Sequence, residues 1–191
     1  MEGSFFALRP QSKLDWYNCP GGELETPRHP NKDSIPMDVT TDISFIADSM
    51  LGKLARYLRI FGYDAIYQSS YAQGRLSELV QEGRVLLTRH AETAAAHSGS
   101  ILVDRDLVRD QLEVVDRRVK LTRDRCKWFT RCLACNELLV EVSGDTAKSN
   151  VPDYVFFKYS GKIRSCPSCK RYYWPGTHRQ RTLERLSEWG F

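Results

Sequence analysis

ISFIADSMLGKLARYLRIFGYDAIY, residues 43–67, decides the fold. Its first six residues form an apolar run that ends on Asp48, which reads as a buried strand. Residues 50–61 then switch period. Leu51, Leu54, Ala55, Leu58 and Phe61 fall on one helical face, while Lys53, Arg56 and Arg59 project elsewhere. Gly62 is placed to end that helix, and DAIY (64–67) restarts as a strand. Strand, helix and strand in alternation call for a parallel sheet with helices on its faces.

The alternation continues beyond this stretch. RLSELVQEG (75–83) predicts a short helix ending at Gly83, RVLLT (84–88) a third strand, AETAAAH (91–97) a short helix, SILVD (100–104) a fourth strand and LVRDQLEVVDRR (107–118) a fourth helix. The expected class is α/β, a three-layer parallel sheet with helices on both faces. Ligands of such sheets bind beyond the carboxyl ends of the strands. That edge would gather Asp48, then Thr88 and His90, then Asp104 and Asp106, with Asp110 one turn further on. Carboxylates brought together stay charged only with a cation among them, and their oxygens suit Mg(II) or Mn(II). The same aspartates are equally suited to capping the helices that follow them.

RCLACNELLV (131–140) and SCPSCKRYYW (165–174) carry two C-x-x-C pairs: Cys132 with Cys135, and Cys166 with Cys169. Two such knuckles make a closed, structural zinc site of four thiolates, the alternative being a redox dithiol or disulfide pair. Zinc would contribute about 10–16 kcal/mol to so small a module. The gap between the knuckles is long, so a β-hairpin or flexible loop is expected there, with VPDYVFFKY (151–159) as a strand and GDTAKSN (144–150) as a loop. Cys126 fits neither knuckle and reads as a free thiol.

Net charge is +4, unevenly spread. Residues 117–191 hold 16 basic and 7 acidic groups, a net of +9, whereas 41–116 are at −3. The basic third suits a polyanion, or is a solvated surface. Within KRYYWPGTHRQR (170–181), Lys170, Arg171, Arg179 and Arg181 are candidate nucleic-acid contacts. Tyr172, Tyr173 and Trp174 read as packing residues, with base stacking as the alternative. His178 suits a phosphate contact, a reach back to the acidic edge or a plain hydrogen bond. Residues 1–42, broken by five prolines, read as an extended or disordered leader able to dock a protein partner. No run is long and apolar enough for a membrane, so a cytoplasmic protein is expected.

Three stretches taken together resemble the Mut-seven C-terminal RNase domain family: FIADSMLGKLARYLRIFGYDAIY (45–67), RVLLTRH (84–90), and the segment from RCLACNELL through VPDYVFF to CPSCKRYYWPGTH (131–178). The resemblance implies a PIN-like nuclease fold (43–122) and a four-cysteine zinc ribbon (126–180); the leader and a basic tail (181–191) lie outside it. It further implies a metal-dependent endoribonuclease using Mg(II) or Mn(II), with RNA as partner and transfer RNA, ribosomal RNA or the ribosome among the targets allowed. Asp48 matches the family's first-strand acid, Arg56 and Arg59 its basic helix positions, and Asp64 the acid after the glycine. Arg89 would steady the RNA backbone. The third-strand motif departs from the family, for L-L-T-R-D reads Leu86, Leu87, Thr88, Arg89, His90 here. Histidine ligates Mn(II) better than Mg(II), or serves as a general base, or marks a site that no longer cuts, unless Asp104 or Asp106 supplies the missing acid. The alternative to a nuclease is therefore an RNA- or ribosome-binding protein on a decayed scaffold. A third and weaker reading is a protein-interaction module such as a toxin or its regulator.

Overall fold

The structure, a computed structural model, describes residues 43–191. The expectations for 1–42, including partner docking, lie outside the described residues. The described residues fall within one compact unit. Four short parallel strands, β1 (Phe45–Ala47), β2 (Ala65–Tyr67), β3 (Val85–Thr88) and β4 (Ile101–Leu102), lie in the order β2-β1-β3-β4. Between and after them run α1 (Gly52–Ile60), α2 (Arg75–Gln81), α3 (Ala91–Ala96) and α4 (Val108–Val119).

Strand alternation divides the core in two. Phe45, Ala47 and Leu87 join Leu54, Leu58, Leu112 and Val115 on one face, where α1 and α4 pack. Ile46 and Leu86 join Leu79 of α2 on the other. A strand buried on both faces must read as an unbroken apolar run, as FIA and VLL do. The three-layer architecture expected from the sequence is present.

Helix α1 ends in a Schellman turn. Gly62 N–H donates to the Arg59 carbonyl (3.1 Å) and Tyr63 N–H to the Leu58 carbonyl (3.0 Å). Gly62 sits at φ +93°, and a Cβ there would collide with the Lys127 carbonyl. Only glycine serves both the turn and that close approach.

A second sheet is antiparallel: β5 (Val140–Glu141), β6 (Arg164–Ser165) and β7 (Tyr172–Tyr173), in the order β5-β6-β7. Here the structure corrects two expectations. Residues 144–150 are not a loop and 151–159 are not a strand. They form α5 (Gly144–Asn150) and α6 (Asp153–Tyr159). Ser143 caps α5 by accepting the Thr146 N–H, and Pro152, at φ −58°, sets the entry to α6. Their apolar residues Ala147, Val151 and Val155 close over Ile163, with Tyr172 and Trp174 packed alongside.

The segment expected as a basic tail is also helical. Helix α7 (Thr177–Glu188) returns to the main core, burying Leu186 and Phe191 with Phe61 and Trp128. Phe61 meets Trp128 edge-on at 4.8 Å and Phe191 at 5.5 Å. Cys126 is disulfide-bonded, not the free thiol expected. Among the described residues no helix is long and apolar enough to cross a membrane.

Candidate functional site

The strand order fixes where a ligand site can form. The chain leaves β1 toward β2 on one side and later places β3 on the other, so β1 and β3 flank a topological switch point. Asp48 follows β1 there, and Thr88, Arg89 and His90 close β3. Asp48 is only 5% exposed. Its Oδ2 accepts hydrogen bonds from the Thr88 hydroxyl (2.8 Å) and the Arg89 N–H (2.7 Å), and its Oδ1 accepts one from the Met50 N–H (2.9 Å). A buried carboxylate survives on such donors. With three of its roughly four lone-pair positions engaged, it keeps about one for a further ligand. The capping alternative holds in part: Asp48 stabilises the turn into α1 while tying β1 to β3.

His90 is exposed and stands at the N-cap of α3 without a side-chain cap bond, its N–H donating to Thr88 Oγ1 (3.1 Å). A carboxylate at this position would also favour the helix N-terminus electrostatically, which a histidine cannot do. Val103 N–H donates to the Thr88 carbonyl (2.8 Å), which carries Asp104 and Asp106 onto the same edge. Both are exposed, and each is paired with an arginine: Asp104 with Arg105 (3.4 Å) and Asp106 with Arg89 (2.7 Å). Among the described residues, these side chains do not converge into a group of three or more ligands; the four cysteines alone do so. The donor chemistry still fits a hard cation. Mg(II) and Mn(II) keep several waters and commonly bind through one or two carboxylates plus substrate phosphates. A cation at this edge would meet Asp48 as its buried carboxylate, with Asp104 and Asp106 exposed nearby and paired with arginines.

The cysteine site is fully assembled. Cys132, Cys135, Cys166 and Cys169 hold their sulfurs within 4.8 Å of one another, with Cys132 to Cys169 at 3.5 Å and Cys135 to Cys166 at 3.3 Å. Zn–S bonds of ~2.3 Å in a tetrahedron set sulfurs ~3.8 Å apart, which this cluster accommodates. The two knuckles repeat one geometry. Asn136 N–H donates to the Cys132 carbonyl (2.9 Å) and Lys170 N–H to the Cys166 carbonyl (3.0 Å), both donors at positive φ. Burial pushes the Cys166 thiol up to about 12, while the Arg171 backbone N–H draws Cys169 down to about 6. Tyr173 lies with its hydroxyl 3.0 Å from Cys132 Sγ.

The first knuckle is fastened to the parallel sheet. Arg59, expected to face RNA, is instead only 4% exposed. Its Nε donates to the Ala65 carbonyl (2.9 Å) and its Nη1 to the Leu133 (3.1 Å) and Ala134 (3.0 Å) carbonyls inside the knuckle. Desolvation lowers its pKa, and the Cys132 and Cys135 sulfurs act in the opposite direction. Arg59 thus leaves the candidate RNA set and becomes a charged rivet beneath the cysteine sulfurs. Asn136 bonds the Ala65 N–H (3.0 Å) and donates to Asp64 (2.7 Å), and Arg84 grips Asp64 in a two-pronged pair (2.9 and 3.0 Å). Asp64 therefore joins ribbon to sheet, remote from the Asp48 edge in role. Nothing in a single strand pattern announced Asn136 or Arg131, whose Nε donates to the Gly62 carbonyl (3.0 Å).

The other basic candidates separate by exposure. Arg56, Lys170, Arg171, His178 and Arg181 are exposed, whereas Arg179 lies 4.8 Å over the Phe129 ring. Arg89 is partly buried and held by Asp106.

Residues 43–186 match the model of the Mut7-C RNAse domain. Neither the curated proteins nor the solved structures contain a match to the chain.

Proposed function

The chain belongs to the Mut7-C RNase domain family, and from that premise we propose that it is a metal-dependent endoribonuclease acting at the β1/β3 switch point. The observation that carries the reading is Asp48: a carboxylate 5% exposed and held by three donors at the carboxyl-end edge beside the β1/β3 switch point. Mg(II) or Mn(II) held there would supply an activated water and neutralise charge on the scissile phosphate. Thr88 and the Arg89 amide fix the Asp48 carboxylate, so that one lone pair points the same way in every turnover. Arg89 exchanges Asp106 for an RNA phosphate, an exposed pair being worth only about 0–1 kcal/mol. Exposed Arg56 meets the backbone beside it, and Lys170, Arg171, Arg181 and His178 extend the basic track on the ribbon side. His90 serves as a nitrogen ligand or as a base near neutral pH. The four cysteines hold zinc for structure. In the test, Asp48→Asn abolishes cleavage of a labelled RNA while circular dichroism and zinc content stay unchanged; a variant that cuts as well as wild type removes the mechanism.

A second reading has its own observation. His90 stands where the family motif has an acid, and Asp104 and Asp106 are tied to arginines instead of gathered round Asp48. That arrangement favours a protein that binds RNA without cutting. Its signature is salt-sensitive retention of RNA with no turnover in any divalent metal.

A further inference from the structure

The aromatic residues that the sequence offered for base stacking are occupied. Tyr172 and Trp174 pack over Val155 and Ile163, and the Tyr173 hydroxyl sits on the Cys132 sulfur. The open rings lie elsewhere, on the helix inserted between the two knuckles. Tyr154 and Phe157 are 72% and 74% exposed, more than any other large hydrophobic side chain among the described residues. Helix α6 buries Val155 and turns Phe156 and Tyr159 toward the same small core. Tyr154, Phe157 and Lys158, at i, i+3 and i+4, are left together on the outward face.

Two rings one turn apart are more than scattered surface apolarity. Their setting distinguishes among partners. A protein groove would offer contiguous aliphatic surface, but the chain neighbours of these rings are Asp153, Lys158, Ser160 and Gly161, with the half-buried Phe156 ring 5.5 Å from Phe157. Lys158 is exposed on the same helix, its ammonium 5.4 Å from the Tyr159 ring, and Lys148 of α5 is exposed close by in sequence. Asp153, one turn before Phe157, is the acid that borders the face, and the chain from 117 onward carries a net +9. Flat rings beside ammonium groups on a basic module match unpaired bases beside phosphates.

We propose that the outward face of α6 is a stacking platform for single-stranded RNA, with Tyr154 and Phe157 each receiving a base and Lys158 a phosphate. This rests on the RNA reading above but not on the cutting chemistry, since the platform stands on the ribbon insertion and not at the Asp48 edge.

The test is fluorescence anisotropy of a labelled 15-nucleotide single-stranded oligoribonucleotide with the full, zinc-loaded chain and no added Mg(II) or Mn(II). Three proteins are compared: wild type, Tyr154→Ala/Phe157→Ala and Tyr154→Trp/Phe157→Trp. The alanine pair is expected to weaken single-strand binding by at least about twentyfold, since each stacked ring contributes about fivefold or more. The tryptophan pair should bind as tightly as wild type. A duplex of the same sequence, whose base faces are covered, should bind all three alike. Unchanged single-strand affinity in the alanine pair overturns the platform. So does an equal loss for duplex, or a dimer that falls to monomer in the alanine pair with RNA affinity intact. RNA held through these rings but never cut once Mg(II) or Mn(II) is added leaves the platform and removes the nuclease. Cutting with unchanged affinity and KM in the alanine pair does the reverse.

Discussion

Replacing Arg59 by methionine should loosen the ribbon from the sheet. Methionine keeps an unbranched apolar stem and deletes every donor, so packing is largely preserved while three carbonyls lose their partner. A hydrogen bond from a charged donor contributes about 1.5–3 kcal/mol net, which for three gives an upper bound of about 9 kcal/mol. The true loss is smaller, because the contributions share one side chain and because water can reach the partly buried Leu133 and Ala134 carbonyls. About 3–5 kcal/mol is expected, a large part of the ~5–15 kcal/mol typical of a domain. Arg59→Lys keeps the charge but cannot fork between the Ala65 and the 133–134 carbonyls, so roughly half the loss should remain. Urea titration followed by tryptophan fluorescence in zinc-buffered solution measures the stability, and a chromogenic chelator measures the rate of zinc release. Zinc should leave the methionine variant at least tenfold faster. A variant within about 1 kcal/mol of wild type, with unchanged zinc release, would refute the rivet.

Three further outcomes are expected. Stripping zinc with a strong chelator, or making Cys166→Ser, should abolish the β5-β6-β7 signal in circular dichroism, because the cluster of Ala147, Val151, Val155 and Ile163 is too small to order the module without about 10–16 kcal/mol from the metal. The zinc-to-protein ratio measured before stripping should be one per chain. Asp64 gives a pH signature. Burial alone would raise its pKa, but the Arg84 and Asn136 hydrogen bonds override that and hold it below the usual carboxylate range. Its contribution to stability is therefore fully present above the unfolded pKa of about 4 and is lost as pH falls through the lower folded value. Urea midpoints should decline less steeply below about pH 4 in Asp64→Asn than in wild type; parallel declines would remove Asp64 from the network.

The parallel half of the fold was legible because burial on both faces of β1 and β3 forces continuous apolar runs, and because Gly62 and Gly83 sit where helices must stop. The four-cysteine cluster was legible from ligand spacing alone. Helix α6 was not, since its valines and aromatics carry strand propensity. The contrary signals were Pro152 at its entry, Asp153 in its first turn, and Val151 and Val155 four residues apart. Helix α7 hid behind its charge: Leu183, Leu186, Trp189 and Phe191 held the apolar pattern, but the arginines between them read as a tail. Arg59 could not have been placed from its helix. Its acceptors at Leu133 and Ala134 lie more than seventy residues away, and only tertiary contact brings them under α1. Strand ends did indicate that Asp48 follows β1 and Thr88 closes β3. What sequence could not give was the pairing of Asp106 with Arg89, a contact made after β3 and β4 align.

The most direct test of the central claim is cleavage of an end-labelled RNA by wild type, Asp48→Asn and His90→Asp, each with Mn(II) and with Mg(II). The account predicts cutting by wild type that is stronger in Mn(II), none by Asp48→Asn, and at least a tenfold gain in Mg(II) when His90→Asp restores a carboxylate beside Thr88. Equal cutting by Asp48→Asn, or none by wild type and His90→Asp in either metal, would contradict it.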